Sequence, residues 1–145
     1  MGILKKPLDK IEPKQMKVIN NPKGEIYKFL KKSDPCLPNF GEAYFTSIFH
    51  NETKGWKRHS KMSLNLVVVN GKVAFYIHSE EQESTKKIIL ADNDFCSLSI
   101  PPGYWLAFQG VSNFQSVILN IADIEHDPLE SENRDLSAFP MEINL

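Results

Sequence analysis

The sequence predicts an all-β fold in which antiparallel strands form a jelly-roll barrel, and two observations support this prediction. Short runs of β-type residues are separated by turn residues, and no amphipathic helix of three turns lies between them. These runs are MKVI, GEIYKFL, EAYFTSIF, LNLVVV, KVAFYIH, TKKIIL, FCSLSI, WLAFQG and FQSVILNIA. Many short strands at even spacing are typical of sandwiches and closed barrels.

The turn residues give the second observation. Asn70-Gly71 stands between LNLVVV and KVAFYIH, and both central residues of a type I′ turn tolerate positive φ. We therefore expect these two runs to pair as an antiparallel hairpin. Proline, glycine and asparagine mark further turns at residues 21–24, 92–94 and 101–103.

The length and composition indicate one domain over residues 1–145, with the barrel over 41–122. Residues 1–40 carry five of the nine prolines and many lysines, which suits an N-terminal arm or edge strands laid over the barrel. Residues 123–145 form an acidic, proline-containing tail. We expect this C-terminal tail to wrap the barrel surface as a loop or a short helical turn.

Charge and cysteine usage exclude several classes of function. With 17 basic and 18 acidic side chains, the net charge of -1 gives no overall field for nucleic acid or an anionic membrane. The apolar runs are too short to cross a bilayer, and the charged N-terminal stretch does not resemble a signal peptide, so we expect a cytoplasmic protein. Cys36 and Cys96 belong to no CxxC pair, which favours two reduced thiols.

The segment GWKRHSKMSLNLVVV carries the candidate catalytic residues. Side chains alternate along a strand, so Lys57 and His59 share one face while Trp56 and Arg58 share the other. A neighbouring cation and partial burial both disfavour imidazolium, and a neutral His59 suits the role of general base. The alternative is an ordinary interior or rim histidine. His50, His78 and His126 are expected at the surface.

Basic and polar residues around His59 suggest a ligand site. Lys57, Arg58 and Lys61 form a basic group near the predicted barrel mouth, which either holds a diphosphate or is ordinary solvated surface. Asn65 is expected to continue the inward face and either orient His59 or bond to the backbone.

Aromatic side chains are expected around the same region. Trp56 and Tyr104 either stack on a nucleobase or sugar, or belong to a core or dimer interface. Tyr44, on the strand before His59, could supply the acid opposite the base.

Four segments resemble the dTDP-4-dehydrorhamnose 3,5-epimerase-like cupins, especially a short branch found among polysaccharide-biosynthesis proteins. They are GEAYFTSIF, KGWKRHSKMSLNLVVVNGKV, SIPPGYWLAFQG and SVILNIADIEHDPLESENRDLS, within residues 41–140. The resemblance implies a double-stranded β-helix (the cupin jelly roll), commonly dimeric, that binds a nucleotide-linked 4-keto sugar.

Metal binding is not expected. Metal-binding cupins have a His-x-His pair, a Glu and a later His, and the matching positions here are Lys57, His59, Ser63 and Leu106. One good ligand remains, whereas metal sites commonly use three or four. We therefore expect no metal and no cofactor, which disfavours a metal-dependent dioxygenase.

The resemblance also implies roles for individual residues. The Arg-Gly-Leu-His motif of the full-length epimerases falls on residues 54–57, so Lys57 stands where those enzymes have their base, and their acid tyrosine falls near Asn120. The related sugar 3,4-ketoisomerases have a His-x-His-Lys segment, and its second His, the base, matches His59. Their upstream tyrosine falls close to Tyr44. Arg134 matches a frequent family arginine of unassigned role.

Two functional hypotheses follow. The first is a metal-free epimerase or isomerase acting on a nucleotide-linked 4-keto-6-deoxy sugar in cell-surface polysaccharide biosynthesis. In it His59 moves the proton, Tyr44 is the acid and Lys57 stabilises the enolate. Arg58, Lys61, Asn65, Trp56, Tyr104 and Asn120 would contact the substrate. The second is a catalytically inactive sugar-nucleotide-binding cupin that partners another enzyme.

Overall fold

The computed structural model describes residues 7–141 and confirms the predicted all-β jelly-roll fold. Its strands are β1 Lys14–Gln15, β2 Lys17–Ile19, β3 Ile26–Lys28, β4 Glu42–Ile48, β5 Thr53–His59, β6 Leu64–Asn70, β7 Lys72–Ser79, β8 Ser84–Ala91, β9 Cys96–Ile100, β10 Trp105–Gly110, β11 Ser116–Ala122 and β12 Ser131–Asn133. The helical elements are 3-10 turns at Leu8–Lys10 and Leu136–Ala138.

Two five-stranded antiparallel sheets face each other. The first has the order β1-β9-β6-β11-β4, the second has the order β12-β5-β10-β7-β8, and β2 and β3 form a separate hairpin. The main hydrophobic core fills the space between the sheets and includes Phe75, Ile77, Leu98, Leu106 and Ile118. Side chains that point into this space are called inward below, and those on the opposite faces are called outward.

The predicted hairpin at Asn70-Gly71 is wrong. β6 pairs with β9 and β11 in the first sheet, whereas β7 pairs with β8 and β10 in the second. The turn therefore carries the chain from one sheet to the other. Gly71 has φ +87°, and a Cβ there would lie 2.4 Å from Ser116 Oγ. The glycine is required by a sheet crossing and not by a type I′ turn.

The outward face of the second sheet carries its own small core. Trp56, Ala74, Tyr76, Trp105 and Ala107 are buried there, and Phe139 and Met141 from the C-terminal tail pack against them. The indole Nε1 of Trp56 donates a hydrogen bond to the Leu136 carbonyl at 3.2 Å. The tail thereby covers a sheet face that would otherwise expose two tryptophans.

The N-terminal segment packs against the first sheet. β1 extends the sheet beside β9, and the Met16 N–H donates to the Phe95 carbonyl at 2.8 Å. The β2–β3 hairpin is anchored by Tyr27, whose ring stacks on Phe95 with centroids 4.4 Å apart. Within residues 7–141, no helix is long and apolar enough to cross a membrane.

Candidate active site

The inward side of β5 is fixed by its register with β10. Lys57 pairs with Leu106, and Leu106 belongs to the core between the sheets. Cross-strand partners lie on the same face of a sheet, so Lys57 is inward, and His59 follows by the two-residue period. A register shift between Leu106 and Phe108 also brings Lys54 to the inward side, where its ammonium lies 5.9 Å from the Phe108 ring centroid.

His59 is paired with a carboxylate that the sequence did not indicate. Its Nδ1 is hydrogen-bonded to Glu130 Oε1. The pairing of β12 with β5 explains the contact, because Ser131 lies opposite His59 and places the preceding residue, Glu130, beside the ring. The His59 side chain is 11% exposed and the Glu130 side chain 4%. The two form a largely buried imidazole–carboxylate pair.

The loop between β5 and β6 holds the other side of the Glu130 carboxylate. Its Oε2 accepts hydrogen bonds from the backbone N–H groups of Lys61 at 2.9 Å and Met62 at 3.1 Å. Burial alone would raise the pKa of Glu130. The hydrogen bonds from His59 and from the two N–H groups outweigh burial and hold the pKa below its ordinary value. Glu130 is therefore ionised at neutral pH.

The ionised carboxylate determines which nitrogen of His59 is available. Glu130 accepts a hydrogen bond, so Nδ1 carries the proton and the lone pair of the neutral ring lies on Nε2. Within residues 7–141, Nε2 of His59 makes no hydrogen bond. Every fully buried side-chain nitrogen or oxygen in this part of the chain does have a hydrogen-bond partner, so Nε2 is not fully buried. Nε2 is therefore open to solvent. It can accept a proton from a bound molecule.

On the facing sheet Tyr44 is an inward residue, and the space between the sheets beside His59, Lys57 and Tyr44 is called the cleft below. Tyr44 pairs with Asn120 on β11, and Asn120 shares the inward face with Ile118 and Ala122 of the core. Asn120 is fully buried, and its Nδ2 donates to the Tyr44 hydroxyl at 3.0 Å. Tyr44 itself is 42% exposed. Because its oxygen accepts the bond from Asn120, its own O–H remains able to donate.

Two lysines of β5 are inward on the same side as His59. The Lys54 ammonium bridges the two walls by donating to Thr46 Oγ1 at 3.0 Å and to the Ser47 carbonyl at 2.7 Å. The Lys57 ammonium makes no hydrogen bond or ion pair with any residue from 7 to 141. Lys57 is therefore the inward cation that is available to an anionic group of a ligand.

Comparison with known proteins identifies the family. The family model named FdtA and described as "WxcM-like, C-terminal" matches residues 9–143. The chain belongs to this family. The predicted kinship with epimerase-like cupins is thereby confirmed. No curated protein sequence matches the chain at a significant level.

Solved structures support the same relationship. A dTDP sugar isomerase from Desulfovibrio desulfuricans is 25% identical, with a TM-score of 0.79 over 90% of this chain and 87% of that chain. The sugar 3,4-ketoisomerase QdtA from Thermoanaerobacterium thermosaccharolyticum, in complex with TDP, is 21% identical. Its TM-score is 0.73, over 87% of this chain and 89% of that chain. The dTDP-4-dehydrorhamnose 3,5-epimerase from Elizabethkingia anophelis is 13% identical. Its TM-score is 0.75, over 92% of this chain and 79% of that chain. The last two comparisons show a shared fold.

In this WxcM-like chain, three side chains predicted to contact the ligand are occupied by core packing or by ion pairs. Trp56 is fully buried on the outward face under the C-terminal tail. Arg58 is also outward, and it forms ion pairs with Glu80 and Glu132, each at 2.8 Å, while stacking over Trp105. Tyr104 is 3% exposed and packs in the main core. Trp56 and Tyr104 therefore take the core positions that the sequence left open as the alternative, and the guanidinium of Arg58 is already paired within the chain.

The predicted inward position of Asn65 is also wrong. Leu64 and Leu66 are the inward residues of β6, so Asn65 faces outward. Its amide donates to the carbonyls of Cys36 and Ile121, and its Oδ1 accepts from Ser99. The sequence had left open a role in bonding the backbone, and the structure shows this role. Lys61 is exposed, and its backbone N–H contacts the Glu130 carboxylate.

His78 differs from the expectation of a surface histidine. It is 6% exposed, its ring stacks on Phe139 at 4.2 Å, and its Nδ1 lies 2.8 Å from Thr85 Oγ1. Burial lowers the pKa of His78, and nearby Glu80 opposes this in part. His78 thus belongs to the outward core. Among residues 7–141, no group of three His, Cys, Asp or Glu side chains is arranged to hold a metal ion.

Proposed function

We propose that this protein is a metal-independent epimerase or isomerase that acts on a nucleotide-linked 4-keto-6-deoxy sugar in the cytoplasm, during cell-surface polysaccharide biosynthesis. The observation that carries the proposal is the His59–Glu130 pair, which leaves Nε2 open on the inward side of the barrel. The names of the similar structures, a dTDP sugar isomerase and a sugar 3,4-ketoisomerase, support the general reaction type.

The proposed reaction begins with proton removal next to the ketone. Nε2 of His59 takes the proton, the C–H electrons form a C=C bond, and the carbonyl π electrons move to oxygen to give an enolate. The free ammonium of Lys57 stabilises that negative charge, and Glu130 stabilises the imidazolium. A positioned base contributes on the order of 10²–10⁴-fold to such a step.

The carbon that receives the returning proton decides whether the reaction is an epimerisation or an isomerisation. Tyr44 can donate its phenolic proton to the opposite face of the same carbon, which inverts that carbon. Return of a proton to the former carbonyl carbon, with loss of the neighbouring hydroxyl proton, moves the ketone by one carbon instead. The hydrogen bond from Asn120 leaves the Tyr44 O–H free to act as this donor.

Solvent isotope exchange tests the proposal. The purified protein is incubated in D2O with dTDP-4-keto-6-deoxyglucose, and the sugar nucleotide is analysed by mass spectrometry and NMR. We expect one deuterium for each carbon that is deprotonated, well above the rate without protein. If deuterium enters no faster than in the protein-free control, the proposed catalysis is wrong.

A catalytically inactive binding protein is the second candidate, and one observation favours it. Lys57 occupies the position where the resemblance implies a catalytic histidine in the full-length epimerases. A binding protein would retain affinity for the sugar nucleotide in calorimetry and incorporate no deuterium. An enzyme would show both binding and incorporation, so the two measurements separate the candidates.

We further propose that the protein forms a homodimer through the outward face of the first sheet near β4. β4 ends this sheet, and Phe45 and Phe49 are 69% and 65% exposed there. In the part of the chain that the structure describes, the outer edge of β4 pairs with no strand, and an apolar face beside such an edge suits a symmetric contact with a second copy. Phe45→Lys is expected to shift the mass measured by light scattering from dimer to monomer, whereas exposed Leu129→Lys is not. A monomeric wild-type protein would contradict this proposal.

A further inference from the structure

A lysine-rich groove lies outside the cleft, between the β2–β3 hairpin and the outward face of the first sheet. Its volume is about 590 Å³, which is within the range of small-molecule sites. Four lysines line it, together with one acidic residue, Asp34. The lysines are Lys14, Lys17, Lys28 and Lys31.

The positive charge of the groove is not neutralised by the described part of the chain. Within residues 7–141, none of the four ammonium groups forms an ion pair or a hydrogen bond. One carboxylate oxygen of Asp34 accepts the backbone N–H of Lys31. The whole chain has a net charge of -1, so this concentration of positive charge is local.

Strand register places two of the lysines against each other. Lys17 and Lys28 are direct cross-strand partners in the β2–β3 hairpin. Like charges directly opposite destabilise an antiparallel pair, whereas an anion bound between them would remove the repulsion. The hairpin is nevertheless held in place by the Tyr27–Phe95 stacking and by the Met16–Phe95 hydrogen bond. The groove is therefore preformed.

We propose that this groove binds an organic diphosphate at a site separate from the cleft. The lysines supply the charge for two phosphate groups, and Met16, Tyr27, Phe29 and Leu30 supply an apolar surface for the rest of the molecule. The volume of the groove fits a small molecule, and the net charge of the chain does not favour a nucleic acid or a membrane surface.

Isothermal titration with pyrophosphate and with thymidine diphosphate tests the groove. We expect the double variant K17A/K28A to lose groove binding, with affinity falling roughly tenfold or more, because hydrogen bonds to charged groups are lost. The matched variant K23A/K32A removes the same charge from exposed lysines outside the groove and is expected to bind like the wild type. Thymidine diphosphate should bind more tightly than pyrophosphate because of the apolar lining.

The outcomes for the groove and for the cleft are distinguishable. If both sites bind thymidine diphosphate, the wild type shows two sites and K17A/K28A shows one. If only the groove binds, the wild type shows one site and K17A/K28A shows none. Equal binding by K17A/K28A and the wild type, or tighter binding of pyrophosphate than of thymidine diphosphate, would overturn the inference.

A single charge reversal gives a second test that does not depend on measured affinity. Lys28→Glu replaces the repulsive pair with Lys17 by an attractive one. In phosphate-free buffer we expect this variant to melt at a higher temperature than the wild type. Added pyrophosphate should raise the melting temperature of the wild type and leave that of Lys28→Glu unchanged. An equal rise in both proteins would contradict the assigned site.

Discussion

His59→Asn is expected to reduce deuterium incorporation into the 4-keto sugar nucleotide by about 10²–10⁴-fold, with little change in melting temperature. The Asn amide can still donate a hydrogen bond to Glu130, so the buried carboxylate keeps a partner. It has no lone pair basic enough to take a proton from carbon. The initial rate of incorporation, measured by mass spectrometry in D2O, checks the effect.

A matched histidine variant makes this result specific. His126 is exposed, and His126→Asn is the same change of side chain away from the cleft. We expect wild-type incorporation from this control. Full incorporation by a folded His59→Asn protein would remove His59 from the proposed mechanism and would leave Lys57 as the remaining candidate base.

Substitution of Glu130 is expected to have the second largest effect, because it changes both stability and catalysis. Glu130→Ala leaves the backbone N–H groups of Lys61 and Met62 without their acceptor and the His59 ring without its carboxylate. Loss of these buried hydrogen bonds to the Glu130 carboxylate is expected to lower the free energy of unfolding by about 2–5 kcal/mol. Chemical denaturation measures this cost, and Glu125→Ala, at an exposed glutamate, is the control.

Glu130→Gln separates catalysis from folding. The Gln side chain still fills the space, and its amide oxygen can accept the two backbone N–H bonds from Lys61 and Met62, so the fold should persist. It cannot stabilise an imidazolium by charge, and we expect incorporation of deuterium to fall on the order of 10²-fold. An unchanged rate in a folded Glu130→Gln protein would show that the carboxylate has no role in proton transfer.

The pH dependence of stability gives a further readout for Glu130. Its pKa in the folded protein is below the ordinary value of 4.5, so the unfolded chain binds the proton more readily. The stabilisation is therefore fully present above pH 4.5 and is lost as the pH falls through the lowered pKa. The melting temperatures of the wild type and Glu130→Gln should differ most near neutrality and converge on acidification.

Local sequence patterns predicted the β fold and, within one continuous strand, which side chains share a face of the sheet. The alternation along β5 places Lys57 and His59 on one face because that strand is continuous to His59. It fails for Asn65, because the loop of residues 60–63 interrupts the strand and the period restarts at Leu64. The Asn70-Gly71 pattern failed for a related reason, since a glycine turn can cross between sheets as well as close a hairpin.

Long-range contacts were not predictable from one sequence. Glu130 lies 71 residues from His59 and belongs to an acidic tail that resembles solvated surface. The burial of Trp56 depends on Leu136 and Phe139, which follow in the same tail. In both cases the deciding partner comes from a segment without strong periodicity, so its docking position is set by tertiary packing.

The crossing at Gly71 has a consequence for folding kinetics. Because β6 and β7 do not pair with each other, β6 must find β9 and β11, which are synthesised much later. The β7–β8 pair is local, joined by residues 80–83, and can form early. The first sheet forms only when strands that are far apart in the sequence pair with each other. Proteins dominated by such long-range pairing fold in milliseconds to seconds. Until β11 arrives, β6 exposes an apolar edge, and this nascent chain is most vulnerable to aggregation at that stage.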